Sequence, residues 1–428
     1  MKKNKILWYT GISITIGAAV SVCCWYFFIY KKSDVYNAVD NNIQNSEKFY
    51  TINNDKGFIS NNYEFVNLGL INNPTVDRDY SYIRKRVSDH NLIGFTLEYS
   101  DSSFYRIGHW NALNFSLLNS RYLNDKNSTQ FLHADNIAKV IAYFNFDIIG
   151  LTEINKNTIT TNDVSAAQNF LNLVNSYVSK SKSENYEYDL IVSDNTLSTT
   201  ATSGQSEQVA ILYNKKRLTN YSLSNNNNAL IGSGYFYKNN LINWGLSSEN
   251  KSGWKNYDYV RPPFGTMFKS KTSNEDLIVL FSHFDSPGTS NNETSGTSGM
   301  GKQEMFEANN IQIPLEEFKS VFKLENIVFM GDTNIPTGKQ NIAFDTNKLS
   351  SLNYEFSFED SVSYNTSLAM VSTVENNINN PSKWYSNAYD KIIYSLKDLQ
   401  VTNKTLSTKL IVYQVFNNEF YLNEKKFI

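Results

Sequence analysis

Four consecutive apolar residues, Ile327-Val328-Phe329-Met330, run directly into Gly331-Asp332-Thr333-Asn334. An apolar run of this length that ends at a glycine reads as a short buried strand. Gly331 has no Cβ, so the backbone can turn tightly there or let another group approach closely. Asp332 and Asn334 stand just beyond the strand end, two residues apart. A carboxylate and an amide at the mouth of a buried strand suit a hard cation or a phosphate oxygen. Gly, Asp and Asn are also ordinary turn formers, so this stretch alone leaves a plain strand-and-turn reading open.

The same construction recurs. Phe146-Asp147-Ile148-Ile149-Gly150-Leu151-Thr152-Glu153 is a second apolar strand closing on a carboxylate. Tyr105 to Phe115, Tyr188 to Val192, Val209 to Tyr213, Gly265 to Phe268, Leu277 to His283, Tyr389 to Ser395 and Leu410 to Phe416 also read as strands. Ala134 to Phe144, Val164 to Val178 and Lys302 to Phe318 read as helices. In the first of these Ile137, Val140, Ile141 and Phe144 recur at helical spacing. Polar loops rich in Gly, Ser, Thr and Asn separate them at 194–205, 223–229 and 288–301. Several strands with a few helices predict an α/β sandwich of two sheets.

The chain has 428 residues, of which 41% are hydrophobic, so a substantial core is possible. A net charge of −2 favours no partner by bulk attraction, and a nucleic-acid binder would need a local basic patch. The two cysteines, Cys23 and Cys24, are adjacent and cannot easily form an unstrained disulfide. Everything after them folds without disulfides or cysteine-based metal sites.

Ile6 to Tyr30 are 25 positions without a charge, preceded by Lys2, Lys3 and Lys5 and followed by Lys31 and Lys32. As a helix they would cross a hydrocarbon layer about 30 Å thick. The heavier positive charge before them orients the N-terminus inside and the rest outside. A cleaved signal, with Ala19-Val20-Ser21 as the processing site, is the competing reading. Residues 1–32 are thus the anchor or signal segment, at the cell membrane, with an extracellular domain beyond. Residues 33–103 read as a polar stalk and preface, broken by apolar runs such as Leu92 to Phe95. Arg84-Lys85-Arg86 within it reads as a solvated face. The main domain is 104–428.

Polar groups with chemical potential sit at the strand ends: Asn111 in His109-Trp110-Asn111, Glu153, Glu207 just before Val209, His283 in Phe281-Ser282-His283-Phe284-Asp285, Asp332, Asn334, and Asp390 in Tyr389-Asp390-Lys391-Ile392. Phosphoryl transfer needs such a set. A carboxylate-held metal neutralises phosphate charge, a histidine moves protons near neutral pH, and a second carboxylate orients that histidine. Taken singly, Glu153 could be a surface carboxylate, His283 a core histidine and Asn111 a buried amide. Ser282, His283 and Asp285 hint at a serine hydrolase, but the chain has no Gly-x-Ser-x-Gly elbow. His109 and His133 fit no site motif and are read as structural.

In this order the motifs resemble the endonuclease/exonuclease/phosphatase superfamily, best known through deoxyribonuclease I, and within it the membrane nucleases of mycoplasmas. The resemblance runs from about Arg106 to the C-terminus. It implies a four-layer sandwich of two mainly antiparallel β-sheets flanked by helices. It implies that Glu153 is the main metal ligand, with Asn111 at the metal-bound phosphate, and that Mg2+, Ca2+ or both are used. His283 would be one catalytic histidine with Glu207 as its orienting partner. Asp332 and Asn334 would position water and phosphate, Arg261 would lie near the nucleic-acid backbone, and Asp390 would partner a second histidine. The implied substrate is nucleic acid, DNA before RNA; residues 6–30 would meet a lipid bilayer, and no protein partner is evident.

The family ends in Ser-Asp-His followed by a last strand beside the first one. No such tripeptide follows Asp390, His283 is the last histidine, and the sequence stops 38 residues past Asp390. The expectation is therefore a truncated nuclease: Asp390 without its histidine, the strand at 105–115 left as an exposed edge, and little activity. Two other functions fit. One is a phospholipid or inositol phosphate phosphodiesterase on the same fold. The other is a non-catalytic surface binding protein, which a missing histidine favours.

Overall fold

The computed structural model describes residues 58–59 and 84–396, apart from 86, 99–103, 156–163, 181–184, 195–206, 239–258, 274, 289–298, 358–359, 378–382 and 384. The run 6–30 and the strand expected over Leu410 to Phe416 lie outside the described residues. Among the described residues no helix is long and apolar enough to cross a membrane.

Fourteen strands are described. They are β1 (Phe58–Ile59), β2 (Ile93–Glu98), β3 (Phe104–Phe115), β4 (Ile148–Asn155), β5 (Tyr188–Ser193), β6 (Glu207–Asn214), β7 (Leu218–Asn220), β8 (Ala229–Ile231), β9 (Tyr235–Phe236), β10 (Phe264–Ser270), β11 (Asp276–His283), β12 (Ile327–Asp332), β13 (Glu355–Phe356) and β14 (Asp390–Ser395). They form two sheets, β1-β2-β3-β4-β6-β5-β8 and β13-β14-β12-β11-β10-β7, with β9 added beside β10. Each sheet is mixed. β3 runs parallel to β4, and β11 parallel to β12, while the other pairs are antiparallel.

The parallel pairs need crossovers, and helices supply them. Helix α1 (Thr129–Phe144) joins β3 to β4, and α2 (Ser165–Lys180) follows β4. Helices α3 (Lys302–Asn309) and α4 (Gln312–Phe322) join β11 to β12. Helix α1 starts five residues before the expected Ala134, because Ser128 accepts the backbone N–H of Phe131 and caps it there. The single helix expected over Lys302 to Phe318 is two. Asn310 turns its amide back onto the carbonyl of Phe306, and Pro314, which lacks an N–H, is suited to the first turn of a new helix.

Alternation along the strands builds four layers. In β11, Leu277, Val279 and Phe281 point between the sheets with Ile107 and Ile148. Ile278 and Leu280 point the other way, onto Leu315 and Phe318 of α4. Ile137, Val140, Phe170 and Val174 cover the outer face of the first sheet. The sheets meet closely at Gly150, where a Cβ would fall inside the ring of Phe281. Gly150→Ala is expected to lower stability by about 1–3 kcal/mol through overpacking. Urea unfolding of the variant checks this, and an unchanged midpoint would rule out close contact there.

Residues 33–103 do not all precede the sandwich. Leu92 to Phe95, read as part of the preface, lead into β2, which pairs antiparallel along β3 from Ile93↔His109 to Glu98↔Phe104. The exposed edge expected at 105–115 is therefore covered. The partner strand comes from the N-terminal side of β3, where the expectation looked only beyond Asp390.

Candidate active site

Strand register brings the polar groups together. His283, Asp332 and Asp390 stand in one row across β11, β12 and β14, through the pairs His283↔Asp332 and Asp332↔Asp390. On the facing sheet Asn111 lies opposite Thr152, one residue before Glu153. The C-terminal ends of β3, β4, β11 and β12 thus open on one cleft, into which the N-terminal end of antiparallel β14 also projects.

The first sheet bulges at this point. The β3–β4 register shifts between Asn111 and Phe115, and the β4–β6 register between Leu151 and Ile154. Leu113, Asn114 and Glu153 take φ values of 52°, 51° and 54°, and Asn334 on the other sheet takes 54°. A left-handed backbone costs a non-glycine residue about 1–3 kcal/mol and is kept where the surroundings enforce it. Bulges of this kind re-aim side chains beside sites. Here Glu153 is turned so that Oε2 accepts the N–H of Asn114 (2.9 Å) and Oε1 accepts Nδ2 of Asn111 (2.9 Å).

Asn111 bridges two carboxylates, since its Nδ2 also donates to Asp332 Oδ2 (3.0 Å) while its Oδ1 accepts the N–H of Leu113. Asp332 Oδ1 accepts the N–H of Asn334, whose own amide donates to the carbonyl of Phe284. In this arrangement Asn111 shows the carboxylates its nitrogen and links Glu153 to Asp332. Among the described residues no three or more His, Cys, Asp or Glu side chains are arranged to hold a metal ion. The donor chemistry nevertheless fits a hard cation. Glu153 keeps unused lone pairs on both oxygens, is partly open to solvent, and sits beside a second carboxylate. Mg2+ is commonly held by one or two carboxylates with the rest of its shell water or phosphate.

His283 is held as expected. Its Nδ1 lies 3.0 Å and 3.2 Å from the Glu207 oxygens, and its Nε2 lies 3.8 Å from both Glu153 Oε1 and Asp332 Oδ2. Burial pushes the Glu207 carboxyl up, but Arg261 and His283 outweigh it and the net shift is downward. Burial and Arg261 oppose the charge on His283, yet Glu207 and Asp332 raise it above its ordinary value. Arg261 is not offered to a nucleic-acid backbone. It is buried, with Nη1 at 3.4 Å from Glu207, Nε donating to the carbonyl of His283 (2.7 Å), and Nη2 donating to that of Phe284. Its role is to brace the His283–Glu207 pair.

Asp390 is not without a histidine. His90 Nδ1 lies 2.7 Å from Asp390 Oδ2, and His90 Nε2 lies 3.4 Å from Asp332 Oδ2. Burial disfavours the charged ring, but the two carboxylates overcome it and hold His90 up at about 10. Asp390 is in turn held well below the usual carboxylate range, the cation beside it and hydrogen bonds outweighing its burial. Ser88 anchors the segment: its Oγ donates to the carbonyl of Asn111 (2.7 Å) and accepts the N–H of His90 (2.9 Å). Trp110 Nε1 donates to the carbonyl of His90, and Leu368 N–H to that of Asp89. Ser88-Asp89-His90 followed by β2 is the tripeptide-and-strand unit expected at the chain's end, supplied instead from ahead of β3. The signal was readable, a Ser-Asp-His leading into the apolar run Leu92 to Phe95, but it stood outside the expected motif order. His133, with Nε2 2.9 Å from the carbonyl of Val87 and its ring against Phe115, is structural as read.

No family model matches the chain. An uncharacterized protein of Mycoplasma pneumoniae (strain ATCC 29342 / M129 / Subtype 1) is 25% identical, the match covering 68% of this chain and 78% of that one. Similar solved structures include an endonuclease/exonuclease/phosphatase family protein from Bacteroides thetaiotaomicron, at 14% identity over 72% of this chain and 82% of that one, with a TM-score of 0.36. A protein of the same family from Leptotrichia buccalis matches at 12% identity over 70% and 96%, TM-score 0.38. The catalytic domain of human Nocturnin with bound sulfate matches at 12% over 68% and 81%, TM-score 0.36.

Proposed function

We propose that the chain is a divalent-metal-dependent phosphodiesterase of the endonuclease/exonuclease/phosphatase type, cleaving nucleic acid outside the cell while residues 6–30 hold it at the membrane. The observation that carries this reading is the convergence of two carboxylate-held imidazoles on one aspartate. The Nε2 atoms of His90 and His283 lie 3.4 and 3.8 Å from the same Asp332 oxygen, and Asn111 links that aspartate to Glu153. A non-catalytic role was favoured by a missing histidine, and His90 removes that support.

Glu153 would hold a divalent cation, which when bound would neutralise phosphate charge. The chain's own groups then have separable tasks. His283, its Nδ1–H directed at Glu207, presents Nε2 to take a proton from the attacking water as the new P–O bond forms. His90, charged through neutral pH, donates a proton to the departing ester oxygen as the old P–O bond breaks. Asp332 orients the water between them.

Purified protein given supercoiled DNA, RNA, sphingomyelin and inositol phosphates with Mg2+ or Ca2+ tests the reading. Cleavage of the nucleic acids that is lost in His283→Ala is the expected result. Turnover of sphingomyelin alone would move the assignment to the lipid branch, and binding without turnover of anything would remove catalysis. The nuclease is also expected in the membrane pellet and to be degraded when intact cells are treated with protease. Protection from protease would place the domain inside.

A further inference from the structure

Asp390 is fully buried, and each of its oxygens faces a different imidazole. Oδ2 is taken by His90. Oδ1 lies 3.3 Å from Nδ1 of His109, an ion-pair distance, and neither of these two buried atoms has a hydrogen-bond partner among the described residues. His109 is itself wholly buried. Its ring stacks against Phe281, with centroids 6.1 Å apart, and its Nε2 lies 3.0 Å from Thr152 Oγ1. A threonine hydroxyl can donate or accept, and the partner of one ring nitrogen sets the tautomer at the other. With Thr152 donating to Nε2, the single ring proton sits on Nδ1, directed at Asp390.

We infer that His109 is a positioning residue for the His90–Asp390 pair, holding the second carboxylate oxygen so that the first stays aligned on His90. The inference rests on the reading of His90 as catalytic. Its geometry is specific. The strands β3 and β4, which carry Asn111 and Glu153, reach through His109 and Thr152 to a carboxylate on β14 in the opposite sheet. The metal-holding and histidine-holding halves of the cleft are thereby tied by one imidazole. The bland alternative is a core histidine that only fills space beside Phe281.

His109→Phe keeps the bulk and the stacking and removes the donor, while His109→Gln restores an amide N–H. In the full chain, His109→Phe is expected to lower kcat by about 10- to 100-fold with KM little changed, the range for an outer group that orients an active one. His109→Gln is expected to recover most of that loss. Proton NMR supplies a readout independent of turnover: the His90 Nδ1–H signal, far downfield in the parent, moves upfield in His109→Phe and stays in His109→Gln. Full activity in His109→Phe where His90→Ala is inactive, or a His90 proton signal that does not move, would overturn the inference. If His90→Ala is also fully active while the signal shifts, positioning stands and the catalytic reading of His90 falls instead.

Discussion

His90→Ala is expected to lower nuclease turnover by about 10²- to 10⁴-fold, the usual contribution of one general acid or base. The truncated-nuclease expectation makes the opposite forecast: a histidine outside the motif order should be dispensable. Alanine also leaves Asp332 and Asp390 facing one another across a buried space, so a loss of fold could imitate a loss of chemistry. His90→Asn separates the two, because its amide can still donate toward Asp390 but cannot transfer a proton. A folded His90→Asn protein with parental kcat would end the assignment. The pH dependence adds a second reading. His90 has a folded pKa near 10 against an ordinary value of 6.5. The stability it contributes is fully present below pH 6.5 and is lost as pH rises through about 10. Thermal unfolding in chelator should therefore show a decline across that window that is absent in His90→Asn.

Glu153→Gln is expected to abolish metal-dependent cleavage, by about 10³-fold or more, because an amide cannot replace the charge that holds the cation. A binding readout accompanies the rate. If Mg2+ binds the native site, it raises the unfolding temperature in proportion to occupancy. That rise should be clear in the parent and absent in Glu153→Gln. The left-handed φ of Glu153 is a backbone property and survives the substitution, so unfolding without metal should change little. A Glu153→Gln protein that is still stabilised by Mg2+ would place the cation elsewhere.

The His90 forecast depends on where β2 and its leading tripeptide fall. In the sequence the unit stands before β3; in the fold it occupies the edge that the resemblance gives to the chain's last strand. Sheet pairing makes this possible, since a strand beside β3 can arrive from either end of the chain provided its apolar residues face the core. Ile93, Phe95 and Leu97 do so, with at most 7% exposure. Motif order along a chain is a weaker constraint than the place of each motif in the sheet.

Much was legible from the amino-acid order. Apolar runs closing on Asn111, Glu153, His283 and Asp332 marked strands whose ends carry chemistry, because burial dictates the run and the strand end is where a polar group can emerge. The pairing of His283 with Glu207 comes from the resemblance, not from the order of residues, and the fold brings the two into contact. Other features were not readable locally. The inward turn of Arg261 onto Glu207 and two carbonyls depends on β6 and β11 meeting its loop. The bridging amide of Asn111 depends on two facing sheets. The left-handed conformations at Leu113, Asn114 and Glu153 come from bulges whose register is set only by strand partners.

The sequence by itself determined which residue types could do phosphoryl chemistry and that they sit on strand ends, since hydrophobic periodicity is a local property. Only the tertiary structure decided which histidine completes the site. Asp390 needs a buried cationic partner within hydrogen-bond reach, and 300 residues of separation say nothing about that distance until antiparallel pairing of β2 with β3 sets His90 beside it.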